Sequence, residues 1–306
     1  MSGGSGPVGV RLDRDRWHFQ YGPIDLILAV EGECAARERA IADCWDRFQH
    51  VLPGLVAELA QLRRPAHEQP AVQDPVAARM VEACAPFAAE RFVTPMAAVA
   101  GAVADELIET FRRAGISRAF INNGGDIALH LTPGEEYRVG VWSNLGRAHS
   151  SDDPGRDVDS RFTVDAGMPV RGIATSGWRG RSFSLGIADS VTVLANTAAV
   201  ADAAATMIAN AVDCDFAGIV RVPAQQLKDD TDLGGLPVTV DVPPLPAEAI
   251  ALALECGRTE AEHWRERGVI YAAALFLQGQ VEVVLPRRSG SLSAPVPRVS
   301  FERVVA

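Results

Sequence analysis

Apolar residues along the chain fall into two kinds of pattern. The longest periodic run takes in Ile41, Trp45, Phe48, Leu52, Leu55, Leu59 and Leu62, spaced at three and four, and predicts one long helix from Glu33 onward. Pro53 lies inside that run and predicts a kink or a restart. Val76–Ala85 reads as a short helix. Met96, Val99, Ala100, Val103, Leu107, Ile108 and Phe111 share one face of another, which opens on Pro95 and closes before Gly115. Ala247–Cys256 and Thr259–Arg267 predict two further helices.

Elsewhere the pattern is that of strands. Trp17–Tyr21 and Asp25–Val30 flank Gly22-Pro23 as a hairpin would, and Val269–Leu277 and Gln280–Leu285 flank Gly279. Ser117–Ile121, Ile127–Leu131 and Tyr137–Trp142 follow one another with short connections. Phe162–Val164 and Val170–Thr175 read as strands joined by a turn at Asp165–Pro169. In Ser190–Ala195, Val191, Val193 and Ala195 alternate with Thr192 and Leu194, the signature of a half-buried strand. Helices interspersed with hairpin-like pairs predict an α+β fold, antiparallel sheets covered by helices, in a single domain over 1–306. Three polar stretches interrupt it: a loop at 143–161 with four aspartates and three arginines, an excursion over Pro223–Pro246, and a C-terminal arm over 286–306.

Composition narrows the partners. Hydrophobic residues at 48% suffice for a sizeable core, and a formal net charge of −10 is the wrong sign for nucleic-acid phosphates or anionic lipid. Five cysteines without a Cys-x-x-Cys spacing predict neither a disulfide framework nor a structural zinc. No apolar run is long enough to span a membrane and the first residues do not read as a signal peptide, so a cytoplasmic protein with a small-molecule partner is expected. A homodimer is left open.

The candidate chemistry gathers in two stretches. Ile173–Val212 reads as strand, connection, strand and helix, with Asn196 or Thr197 as the cap of that helix. Asp202 and Thr206 stand one turn apart on it, and two oxygens on one helical face suit Mg²⁺. The plainer reading of that pair is a carboxylate near a helix start and a hydroxyl bonded to a carbonyl. In Ile121–Ile127, Gly124 and Gly125 allow a sharp bend and close approach of a phosphate to the backbone, although a hairpin turn uses the same residues. Ser176 has no base near it in sequence and lies outside a Gly-x-Ser-x-Gly elbow, so it reads as a ligand-bonding hydroxyl, and His149 as a solvated loop residue.

Taken together, Asn122-Asn123-Gly124-Gly125-Asp126, Ala174-Thr175-Ser176-Gly177 and Ala201-Asp202-Ala203-Ala204-Ala205-Thr206 resemble, in order, motifs of the flavin transferase superfamily typified by ApbE. Ala100-Gly101 to Asp105 resembles its Ala-Lys-Gly-x-x-x-Asp helix with Ala100 in the lysine position, and the segment from Gly177 to Val191 is shorter than the superfamily's. The likeness is strongest over 93–212 and resembles a divergent branch. It implies a T-fold-like architecture, FAD or FMN as cofactor, Mg²⁺ at Asp202 and Thr206, and cofactor contacts from Asn122, Gly124, Gly125, Asp126, Thr175, Ser176 and Gly177. The chemistry it implies is transfer of FMN from FAD to a protein threonine. Two alternatives remain: a non-catalytic ligand-binding protein on the same fold, or an enzyme of small-molecule cofactor biosynthesis with a different substrate.

Overall fold

The computed structural model describes residues 6–13, 15–141, 160–286 and 302–303. Most of the expected loop at 143–161 and of the arm at 286–306 lies outside the described residues, His149 included. In chain order the elements are β1 (Val8–Arg11), β2 (Arg16–Tyr21), β3 (Ile24–Gly32), α1 (Cys34–Ala57), α2 (Leu59–Leu62), α3 (Pro75–Ala88), α4 (Val99–Ile108), β4 (Ile116–Asn123), β5 (Asp126–Leu131), β6 (Glu136–Val141), β7 (Ser160–Asp165), β8 (Gly172–Ser176), β9 (Ser190–Ala195), α5 (Ala198–Ala211), β10 (Val220–Pro223), α6 (Ala224–Leu227), β11 (Pro237–Asp241), α7 (Ala247–Glu266), β12 (Ala272–Leu277), β13 (Gln280–Val284) and β14 (Glu302–Arg303). The strand registers among the described residues are antiparallel and the helices bury apolar faces, so the fold is α+β.

Two compact units share these elements. The first holds residues 1–135, 169–174 and 195–203. Its strands lie in the order β1-β2-β3-β4-β5-β8, and α1, α3 and α4 supply its helical side. The β2–β3 hairpin turns at Gly22 as expected, and β1 adds an edge strand that the sequence pattern did not suggest. All four β1 residues are exposed, so no alternation marks it. Pro53 does not end α1, which runs on to Ala57 and buries Phe48, Val51 and Leu55 on one side of the chain. A proline's missing N–H costs one rung of the helix, and here the buried stripe outweighs it. Asp74 caps α3 by accepting from the amides of Val76 and Ala77.

The second unit holds 136–168, 175–194 and 204–306. Its strands run in the order β8-β9-β12-β13, beside a small β6-β7-β14 sheet and the β10-β11 pair. Three expectations change here. The turn at Asp165–Pro169 does form, with Asp165 Oδ1 accepting from Gly167 and Met168, but β7 pairs with β6 while β8 pairs with β5, so they are not a hairpin. β9 is buried at all six positions rather than on one face, Thr192 and Ser190 included. Alternation of small apolar and hydroxyl residues does not distinguish a strand covered on one side from one covered on both. The excursion at Pro223–Pro246 contains α6 and β11, which returns along β10. The two helices expected over Ala247–Arg267 are one, α7, which packs on β12 and β13. A Cβ at Gly257 would collide with Val212 and press on Leu275, so glycine there sets a close approach between helix and strand rather than a helix end.

Candidate functional site

The site in the first unit is built on the start of α4. Thr94 and Pro95 open a single turn of 3₁₀ helix that leads into α4, and a buried small residue, Gly101, sits in its first turn. A side chain at Gly101 would collide with the Ala198 carbonyl, so α4 and the start of α5 meet backbone to backbone. Gly172 makes a similar approach to Thr197. Asp105, buried one turn further along α4, accepts from the amides of Ala198 (2.9 Å) and Ala199 (2.7 Å), and Thr197 Oγ1 accepts from Val200 (3.2 Å). These bonds satisfy amides that a helix start leaves free. Of the two caps read from sequence, Thr197 is the one that forms; Asp105 was legible only as a motif residue, because a cap supplied from another helix leaves no local signal.

Around that junction the structure gathers Asn122, Gly124, Gly125, Asp126 and Asp202. Gly124 and Gly125 are the two turn residues of the β4–β5 hairpin, with φ of 67° and 116° and Asn123 opposite Asp126. The turn is therefore a hairpin turn as well as a Gly-Gly motif. Asn122 Oδ1 holds it by accepting from the Gly125 amide at 2.8 Å, and a Cβ at Gly125 would meet nothing, so its outer surface is open. Asn123, which the sequence did not single out, donates from Nδ2 to the Ala100 carbonyl at 3.1 Å and ties the turn to α4.

Asp202 Oδ2 accepts from the Gly101 amide at 3.0 Å. The residue keeps some surface, but its carboxylate lies against the first turn of α4, not in solvent as its place near a helix start suggested. Burial and the neighbouring Asp126 push its carboxyl well above the ordinary range, against the amides of Gly101 and Ala100, and Asp105 adds to the upward push. Burial likewise raises Asp105 to about 6, opposed by the amides of Ala199 and Ala198. A carboxyl whose charge is disfavoured by a neighbouring carboxylate is one that a divalent cation would stabilise. Thr206 follows one turn along α5, half-buried. Among the described residues no three His, Cys, Asp or Glu side chains converge as a ready metal cage, so a hydroxyl, a carbonyl or the ligand's own oxygens would complete the shell.

Thr175, Ser176 and Gly177 follow one another at the end of β8 and belong with the second unit. Thr175 Oγ1 shares a hydrogen bond with Thr192 Oγ1 at 2.9 Å, whereas Ser176 is half-buried. A Cβ at Gly177 would stand 2.5 Å from the Asp189 carbonyl, so the chain there passes too close to its return for any side chain.

The class these features define is that of an antiparallel α+β protein, with a glycine-tight helix junction and a Gly-Gly hairpin. The chain belongs to the family described as "AbpE bacteria", whose model matches residues 10–283. It is 36% identical over 142 residues to a "UPF0280 protein" of Methanothrix thermoacetophila, covering 46% of this chain and 54% of the relative. To a "UPF0280 protein" of Methanoculleus marisnigri it is 38% identical over 134 residues, 44% of this chain and 51% of the relative. The chain thus spans about half the length of the curated relatives it matches. Among solved structures, the flavin transferase ApbE from Vibrio cholerae aligns with 91% of this chain and 97% of its own at 12% identity and a TM-score of 0.47. The ApbE protein from Thermotoga maritima aligns with 90% and 96% at 12% identity and a TM-score of 0.42.

Proposed function

We propose that the protein is a Mg²⁺-dependent enzyme that binds a flavin or another phosphate-bearing cofactor, acting as an FMN transferase. The observation that carries this reading is the inward-facing carboxylate pair Asp126 and Asp202 at the start of α4, inside a family match that runs from residue 10 to 283. Oxygen donors of this kind fit Mg²⁺, which keeps part of its shell for water and phosphate. When bound, FAD and Mg²⁺ would supply a polarised pyrophosphate, at which an acceptor hydroxyl could form an O–P bond to the FMN phosphorus as the bond to AMP breaks and the hydroxyl proton is lost to solvent. In this assignment Asp202 and Asp126 would hold the cation, and Thr206 follows Asp202 by one turn along α5. The open Gly124-Gly125 turn lets phosphate oxygens approach, with Asn122 and Asn123 fixing its position. In the second unit Ser176 is the hydroxyl read as ligand-bonding, and Thr175 is oriented by Thr192. The chain's contribution is placement and charge stabilisation.

Ala100 favours a second reading, a ligand-binding protein without transfer chemistry, because the charge the superfamily places there is missing. Incubation with FAD, Mg²⁺ and a flavin-acceptor protein separates the two. Covalent FMN on the acceptor supports the transferase; FAD binding without transfer supports the binder. No measurable affinity for FAD, FMN or ATP, with or without Mg²⁺, rules out both.

A further inference from the structure

The loop between β8 and β9 holds a cation that none of these roles uses. Arg179 follows Ser176, Gly177 and Trp178, and its Nε donates to Asp189 Oδ1 at 3.1 Å. Asp189 is itself fixed, because its Oδ2 accepts from the Gln278 amide at 2.6 Å. The Arg179 guanidinium lies over the Trp178 ring, 4.4 Å from its centre, and the Trp178 amide is anchored to the Ala188 carbonyl at 3.0 Å. One edge and one face of the guanidinium are thus held, while its terminal amino groups make no hydrogen bond with any described residue and the side chain is 41% exposed. The indole N–H of Trp178 is buried and also lacks an acceptor. Gly180 closes the turn by donating to the Gly177 carbonyl, and Arg181 adds a second exposed cation in a chain of net charge −10.

An arginine clamped at Nε presents its outer fork in one orientation, so less freedom is lost when an oxyanion accepts from it. We infer that Arg179 is a phosphate-recognition residue at Ser176–Gly177 in the second unit, taking a phosphate of the ligand, with Trp178 and Asp189 as positioning residues. This rests on the reading that Ser176 and Gly177 contact a phosphate-bearing ligand.

The test uses the full chain and three probes, inorganic pyrophosphate, FMN and riboflavin, titrated calorimetrically against the parent protein, Arg179→Gln and Arg179→Lys. Pyrophosphate and FMN should each bind the Gln variant about tenfold or more weaker than the parent, with the Lys variant in between and riboflavin unchanged. Equal FMN affinity in parent and Gln variant overturns the inference and leaves the cofactor reading standing. Arg179-dependent pyrophosphate binding without any flavin binding sustains the inference and removes the flavin reading. Failure of the parent to bind pyrophosphate, or to prefer FMN over riboflavin, overturns it as well. Unchanged melting temperatures across the three proteins will show that lost affinity is not lost fold.

Discussion

Asp202 shows at the scale of one residue how burial changes what a substitution does. As a surface carboxylate it would lose only a few tenths to 1 kcal/mol on neutralisation. Turned toward Gly101 and beside Asp126, it should respond differently to two substitutions. Asp202→Asn keeps an oxygen for the Gly101 amide and removes like-charge repulsion, so the metal-free protein should melt no lower than the parent while Mg²⁺-dependent ligand binding is lost. Asp202→Ala leaves that amide unpaired and should cost roughly 1–3 kcal/mol. Thermal melts with Mg²⁺ titrations check both, and retained Mg²⁺ dependence in the Asn variant would discard the metal assignment. Asp105 gives a pH prediction. Its carboxyl is raised from 3.8 to about 6 in the folded protein, so between those values the folded state holds more protons than the unfolded one. Its contribution to stability therefore falls as pH rises from about 4 to about 6. Denaturant midpoints of the parent and Asp105→Asn, measured across that range, should converge or cross in favour of Asn toward higher pH. Neither effect was readable from sequence, where Asp202 is a single acid in an apolar helix and Asp105 stands beside Glu106 in another.

Elements were more legible than their contacts. The β2–β3 and β12–β13 hairpins and the strands on either side of Gly124-Gly125 lie where periodicity and turn residues put them, whereas the buried line of α1 runs through Ala40, Cys44 and Val51 beside the expected Phe48 and Leu55, and the helix stops at Ala57, before Leu59. Periodicity describes one segment at a time, so it could not tell that β7 pairs with β6, that β9 is covered on both faces, or that Gly257 marks a contact instead of a break. The same limit hid the α4–α5 junction. Gly101 looked like a small residue in an apolar helix, yet it is where another helix's carbonyl must fit. Gly101→Ala should therefore destabilise by about 1–3 kcal/mol, against the roughly 1 kcal/mol gain that alanine brings to an unobstructed helix interior. A shifted urea midpoint with unchanged slope would show it; a stabilised variant would refute the close approach.

For the molecule as a whole, ligand linkage and redox state give further checks. FAD at a hundredfold excess over its dissociation constant should add about 2.7 kcal/mol to stability in the presence of Mg²⁺ and much less in the presence of chelator. All five cysteines are free, with Cys44 and Cys84 buried, so reductant should leave the melting temperature unchanged. Among the described residues no helix is long and apolar enough to cross a membrane. The pairing of β9 with β12 carries one more consequence. Six residues of each strand are buried, and Leu194, Val193, Thr192, Val191 and Ser190 face Ala272 to Phe276 in register. Water can reach those amides only when the surrounding layer opens. In deuterated buffer they should be the last to lose their protons, at rates set by global unfolding, while the exposed residues of β1 exchange in the earliest time points.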